Sequence, residues 1–247
     1  MLRAGDATAV LVDTGPEPAP TIACLESLGI RHIPLLVLTH FHADHIGGAE
    51  AVLSRFRPEM VLVSPLRSPG MSAASVDAAA EAYGARVIVA VPGQSMTVGE
   101  VGWVTASAWQ PGGTSVAGES ESSVENDSSV VGVADVAGMR VLLPGDAEPG
   151  GQEQAIRRAR DLGISLSAHV LKIPHHGSSR QAPEFLAASA AQLAVASCGQ
   201  GNSYGHPSSK TLTRVAALGM VVARTDTDGS VAVSLEAGKL NVRRWRG

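Results

Sequence analysis

The run Thr39-His40-Phe41-His42-Ala43-Asp44-His45-Ile46-Gly47-Gly48 places three imidazoles and a carboxylate within six residues, directly after the aliphatic stretch 35–38. Few folds accommodate such a segment. Buried without partners, these groups lose hydration at a cost of several kcal/mol each, and a divalent cation compensates all of them at once. Residues 35–38 read as a buried strand, and 46–55 repeat apolar side chains at helical spacing. His40 and His42, two apart in extended chain, project to one side, while Asp44 and His45 turn toward a second ion as the helix begins. Gly47 and Gly48 let neighbouring backbone approach closely. The fold must therefore bring a strand end, a tight turn and a helix start together around metal.

Of the eight histidines, His175, His176 and His206 also fall in short segments after predicted strand ends, where α/β sheets bind their ligands. His32 and His169 lack such company and read as surface or satisfied core residues. Twelve short β-branched runs read as strands, at 9–12, 35–38, 60–63, 86–91, 101–105, 129–133, 139–143, 169–173, 193–197, 220–224, 230–235 and 240–244. Helical periodicity occupies 19–28, 46–55, 72–83, 151–162, 183–190 and 208–218. Strands at twice the number of helices predict an α/β fold of two mixed sheets packed face to face with helices outside. No repeat or change of composition divides the chain, so residues 1–247 read as one domain. Segment 110–127, rich in Gly, Ser and Glu and without apolar period, reads as a mobile surface loop beside the site.

The formal charge of −4 argues against holding nucleic acid by bulk electrostatics. It leaves nucleic acid open as a substrate, because bound metal adds positive charge where a phosphate sits. Two cysteines are too few for a disulfide framework. Cys24, in an apolar pattern with Ile22, Leu25 and Leu28, reads as core, and Cys198 as packed. No apolar run approaches the roughly 18 residues of a membrane span, and residues 1–8 lack the apolar stretch of a secretory signal.

The histidine run resembles the HxHxDH motif of the metallo-β-lactamase superfamily of metal hydrolases. Val141-Leu142-Leu143-Pro144-Gly145-Asp146 resembles that superfamily's strand ending in Gly-Asp, whose aspartate bridges two metals. Three later segments are similar to the VPHHGS, NxYGHP and RTDxDG segments of the ComEC family: Lys172-Ile173-Pro174-His175-His176-Gly177-Ser178, Asn202-Ser203-Tyr204-Gly205-His206-Pro207 and Arg224-Thr225-Asp226-Thr227-Asp228-Gly229. In that family a metallo-β-lactamase-like domain serves DNA uptake in competent bacteria. Asn126-Asp127-Ser128-Ser129-Val130-Val131 resembles the same family's Asn-rich approach to a strand, so the likeness covers nearly the whole chain.

The resemblance implies an αββα sandwich with two divalent ions, zinc or manganese, with magnesium also admissible. By residue-for-residue carry-over the ligands are His40, His42, Asp44, His45, Asp146 and one of His175 and His176, superfamily order favouring His175. The other histidine, with Ser178, faces substrate or holds the loop by hydrogen bonds. Asn202 and Tyr204 orient His206, which contacts phosphate or protonates a leaving oxygen; a plain turn at 205–207 is the competing reading. Asp44, Asp146 and His206 thus carry the chemistry, and His176, Ser178, Asn202, Tyr204 and His206 the substrate contacts.

Two departures stand out. Residues 115–127 contain no histidine to serve as the third nitrogen ligand of the first metal, so Asn126, Asp127 or water takes its place and the subsite is richer in oxygen. The family's opening Gly-Gln-Gly-Asp strand has no counterpart ahead of residues 8–15, which predicts an exposed sheet edge. The family's multi-span membrane channel is likewise outside this sequence.

These features imply a binuclear metal-dependent phosphodiesterase acting on DNA, as single strands or ends, through water activated by the ions. Arg180, Arg214, Arg243, Arg244 and Arg246 are candidate backbone contacts, although each alone also reads as solvated surface. One alternative is a lactam, lactone or thioester hydrolase, since the ligands do not distinguish phosphorus from carbonyl attack. Another is a non-catalytic DNA-binding or assembly module, against which the intact His40, Asp44, His45 and Asp146 stand. The expected location is at the membrane for a C-terminal piece of a ComEC protein and in the cytoplasm for a free-standing chain.

Overall fold

The computed structural model describes residues 1–110 and 123–246. Five strands form the first sheet in sequence order: β1 (Leu2–Arg3), β2 (Thr8–Val12), β3 (His32–Leu38), β4 (Met60–Val63) and β5 (Arg86–Val89). β1 pairs antiparallel with β2; the rest are parallel, with Leu36 opposite Leu11 and Val61. Their connections are α1 (Pro18–Ser27), α2 (Ala43–Ile46), α3 (Ala49–Phe56) and α4 (Gly70–Tyr83).

The second sheet has seven strands: β6 (Ser95–Val98), β7 (Val101–Ser107), β8 (Val131–Val136), β9 (Met139–Leu143), β10 (Val170–Lys172), β11 (Leu193–Ala196) and β12 (Val221–Arg224). It is antiparallel from β6 to β9 and parallel from β9 to β12. Its helices are α5 (Ser123–Asp127), α6 (Pro149–Asp161), α7 (Pro183–Ala188), α8 (Ser209–Ala217) and α9 (Thr225–Asp228). A separate hairpin, β13 (Ser230–Glu236) and β14 (Lys239–Trp245), completes the described chain.

Three apolar clusters fill the spaces between four layers. Leu36 and Leu38 of β3 pack with Leu25, Leu53 and Val76 of the first helical layer, while Leu35 and Val37 pack with Trp103 and Val141 of the other sheet. A strand covered on both faces needs apolar side chains at every position, which is why β3 shows no alternation. Val133, Leu142 and Leu171 turn away from the first sheet toward Ala155, Phe185 and Val215 of α6, α7 and α8. The hairpin does alternate: Val231, Val233, Leu240 and Val242 rest on the inter-sheet core. The expected αββα arrangement is the one observed.

Several local readings change. Residues 46–55 are not one helix, because Gly47 and Gly48 separate α2 from α3. A Cβ on Gly47 would lie 2.1 Å from the Pro16 carbonyl oxygen, so only glycine permits that approach. Residues 123–127 of the expected loop are helical, with Glu125 and Asn126 buried; its residues 111–122 lie outside those described. Two strands, β1 and β6, were not expected, and β1 adds a two-residue edge beside β2. Cys24 is exposed, since Leu25 is the residue α1 buries. No helix among the described residues is long and apolar enough to cross a membrane.

Candidate metal centre

Four strands point their carboxyl ends at one place. β2 runs into Asp13, β3 into Thr39 and His40, β9 into Gly145-Asp146, and β10 into His175 and His176. Gly145, at φ 57°, turns the chain after β9; a Cβ there would lie 2.8 Å from the Cβ atoms of both Thr39 and Ser129. That close contact seats Asp146 beside the histidine run.

Each of four imidazoles has one nitrogen engaged by the protein. His40 Nδ1 lies 3.2 Å from Thr39 Oγ1, and its Nε2 is buried with no hydrogen-bond partner among the described residues. His42 Nε2 meets Glu125 Oε2 at 2.6 Å, leaving Nδ1. His45 Nδ1 lies 2.8 Å from Asp13 Oδ2, and its Nε2 faces Asp146 Oδ2 at 3.2 Å and Asp44 Oδ2 at 3.5 Å. His176 Nδ1 donates to the Ser197 carbonyl at 2.6 Å, and its Nε2 stands 3.1 Å from a carboxylate oxygen of both Asp44 and Asp146. One donor atom each from Asp44, His45, Asp146 and His176 lies within 4.8 Å of the others. Asn126 Oδ1 is a further buried oxygen with no partner among the described residues. An imidazole binds metal through one nitrogen while its other N–H is held by a carboxylate or carbonyl; His42, His45 and His176 have such a partner in Glu125, Asp13 and the Ser197 carbonyl, and His40 Nδ1 stands beside the Thr39 and Ser129 hydroxyls instead. The donor set fits divalent metal.

Without metal, the electrostatics is that of protons held in its place. Burial disfavours the His45 imidazolium, but Asp146 and Asp13 outweigh it and hold its pKa well above the usual range. His176, also opposed by burial, is raised to about 9 by Asp146 and Asp44. Burial works against the Asp146 carboxylate, yet His45, Lys172 and His176 keep its pKa well below normal; His176 and His45 do the same for Asp44. His40 is the exception: burial and the neighbouring His45 charge drive it to the neutral form. Protons that compete with metal thus sit on the two histidines nearest the carboxylates.

The second flank is built differently. His175 and His176 both adopt left-handed backbone torsions, at φ 45° and 52°, and diverge. Of the two histidines between which the sequence leaves the choice, it is His176 that stands beside Asp44 and His45, and His175 Nδ1 lies 3.3 Å from Glu148 Oε1. The His175 ring packs edge-on against His206, with centroids 5.4 Å apart. Asn202 does hold His206, through the latter's backbone N–H and carbonyl, and Tyr204, 67% exposed, stacks on its ring. Partial burial, then the charges of His175 and His176, lower the His206 pKa. Ser178 is buried with its hydroxyl turned to the Arg180 carbonyl, a contact within its own loop. Asp127 Oδ1 accepts from the backbone N–H groups of Glu148 and Gly151 at the start of α6.

Four contributors escaped the sequence reading. Asp13 accepts from Thr39 N–H at 2.8 Å and its hydroxyl at 2.9 Å, besides holding His45. Its signal was a lone carboxylate at a strand end. Glu125 engages His42, and Lys172 Nζ lies 3.2 Å from Asp146 Oδ1 and 2.9 Å from the Gly145 carbonyl. Glu148, buried, bridges His175, Asn126 Nδ2 at 3.2 Å and Arg180 at 2.9 Å.

The chain is 29% identical over 246 residues to the competence protein ComA of Neisseria gonorrhoeae, covering 96% of this chain and 31% of that protein. It is 28% identical over 211 residues to the ComE operon protein 3 of Bacillus subtilis strain 168, covering 85% and 26%. It therefore spans about a third or less of the length of these relatives. Zinc-bound PqqB from Methylobacterium extorquens shares the fold, with a TM-score of 0.51 at 15% identity over 90% of this chain and 82% of that one. The model of the metallo-β-lactamase superfamily matches residues 1–188. With the histidine run, the Gly-Asp turn and the two facing sheets in place, the chain belongs to the metallo-β-lactamase superfamily.

Proposed function

We propose that the chain is a phosphodiesterase that cleaves DNA with two divalent metal ions. The observation that carries this reading is that Asp44, His45, Asp146 and His176 bring one donor atom each within 4.8 Å of the others, beside a buried His40 Nε2 that has no hydrogen-bond partner among the described residues. Asp44, His45, Asp146 and His176 would hold one ion, and His40, His42 and Asn126, with Asp146, the other. Such ions supply a water of lowered pKa and neutralise charge on phosphate oxygens.

The remaining roles belong to the chain. Asp13 and the Ser197 carbonyl fix the tautomers of His45 and His176. Lys172 sets the orientation of Asp146. His206, kept neutral at pH 7, offers a hydrogen bond to a phosphate oxygen at the open flank. Tyr204 presents an exposed face on which a base can stack, which suits single strands or ends. The likeness to competence proteins over most of the chain supports DNA as substrate. In a longer protein of ComEC type the activity would serve at a membrane channel, on the strand that is not transported.

The test is cleavage of end-labelled single-stranded DNA with Mn²⁺, Zn²⁺ or Mg²⁺, run beside Asp44→Ala and a chromogenic lactam. Metal-dependent cleavage lost in the variant is expected. Turnover of the lactam with DNA intact would place the chain among carbonyl hydrolases, and inertness toward both, with metal bound, would leave a binding module.

A further inference from the structure

Glu125 lies 83 residues from His42 in sequence, on the short helix α5, yet its Oε2 meets His42 Nε2 at 2.6 Å. The other oxygen accepts from the Ser68 hydroxyl in the loop after β4. The same loop is tied to the same segment a second time, by Ser64 Oγ donating to the Ser128 carbonyl at 2.9 Å. Glu125 is only 8% exposed, so its charge is placed at a cost that its neighbours must offset.

We infer that Glu125 is the positioning carboxylate of the first metal subsite. By accepting from Nε2–H it holds His42 in the tautomer whose Nδ1 carries the lone pair, and it adds negative charge behind that imidazole. Asp13 does the same for His45 from the opposite nitrogen, so the two aspects of the centre are built alike. The need is greatest at the first subsite, where Asn126, its Oδ1 buried without a partner among the described residues, would contribute a neutral oxygen in place of a third imidazole. Ser68 completes the relay by fixing the Glu125 carboxylate. This inference rests on the two-ion reading proposed above.

The test is a two-site binding isotherm for Mn²⁺ and for Co²⁺ on the full chain, comparing wild type, Glu125→Ala, Glu125→Gln and Ser68→Ala. In Glu125→Ala one step weakens by about 10- to 100-fold while the other holds, the usual consequence of removing a partner behind a metal ligand. Glu125→Gln, which still accepts from Nε2–H, recovers part of the loss, and Ser68→Ala shows a smaller change in the same step. Melting curves of the metal-free variants show that they are folded, and if Glu125→Ala is not, Glu125→Gln against wild type carries the comparison. Unchanged or tighter binding of both ions in the folded variants overturns the inference and leaves the two-ion reading intact. Wild type binding fewer than two ions overturns the two-ion reading itself, and this inference with it.

Discussion

Replacing Asp13 by asparagine should disable metal binding through a single misplaced proton. Asp13 accepts three hydrogen bonds: Thr39 N–H on Oδ1, and the Thr39 hydroxyl and His45 Nδ1 on Oδ2. Asparagine has one acceptor oxygen, so one of the two N–H donors must face an NH₂ group. The Thr39 amide cannot change its proton, but an imidazole can. The oxygen therefore stays on Thr39, the amide nitrogen donates to His45 Nδ1, and the imidazole proton moves to Nε2, the atom facing Asp44 and Asp146. Backbone strain is not introduced, because Asp13 sits at φ 55° and asparagine tolerates that region. The expected loss of metal affinity is about 10- to 100-fold, or about 1.4 to 2.8 kcal/mol. Weakening a charged, largely buried hydrogen-bond set costs the fold about 1 to 3 kcal/mol. The assay is a metal titration paired with melting of the metal-free protein. Wild-type affinity for both ions in a folded Asp13→Asn variant would refute the tautomer argument.

Other consequences are equally concrete. In the metal-free protein the raised pKa values of His45 and His176 contribute stability in full below pH 6.5, and it is lost as pH climbs, the His176 share by about pH 9; thermal melts should show Tm falling above pH 6.5, and a rising Tm would contradict the assignment. The depressed Asp44 and Asp146 act oppositely, their contribution disappearing as pH drops below the ordinary value of 3.8. A Cβ on Gly132 would fall 2.1 Å from the Trp103 ring in the inter-sheet core, so Gly132→Ala should cost about 1 to 3 kcal/mol by calorimetry, an unchanged Tm arguing against the packing. At pH 8 iodoacetamide should label Cys24 first, because burial and then Asp226 push the Cys198 thiol up to about 11; mass spectrometry finding Cys198 labelled faster would show that loop to be packed otherwise.

The strands were legible wherever β-branched runs stood between turn residues, and the layered fold followed from their number. β1 and β6 were missed because two residues, and a run as polar as Ser95–Val98, carry too little apolar signal. Cys24 went wrong because a four-residue apolar pattern does not fix the phase of a helix lying on the surface, where only Leu25 is buried. At the centre, the histidine run was legible as local chemistry and Asp146 only through the family resemblance. The choice between His175 and His176 was not, since adjacent side chains diverge through backbone torsions that the residue names do not determine. Asp13 and Glu125 reach the site from β2 and α5 across the fold, and spacing in sequence holds no trace of contacts 32 and 83 residues apart.

Crystals of the chain soaked in Mn²⁺ and measured at the manganese edge test the central claim most directly. The account predicts two anomalous peaks, one among Asp44, His45, Asp146 and His176 and a second beside His40, His42 and Asn126. Absence of a peak among those side chains at saturating Mn²⁺, or peaks elsewhere on the chain, would contradict it.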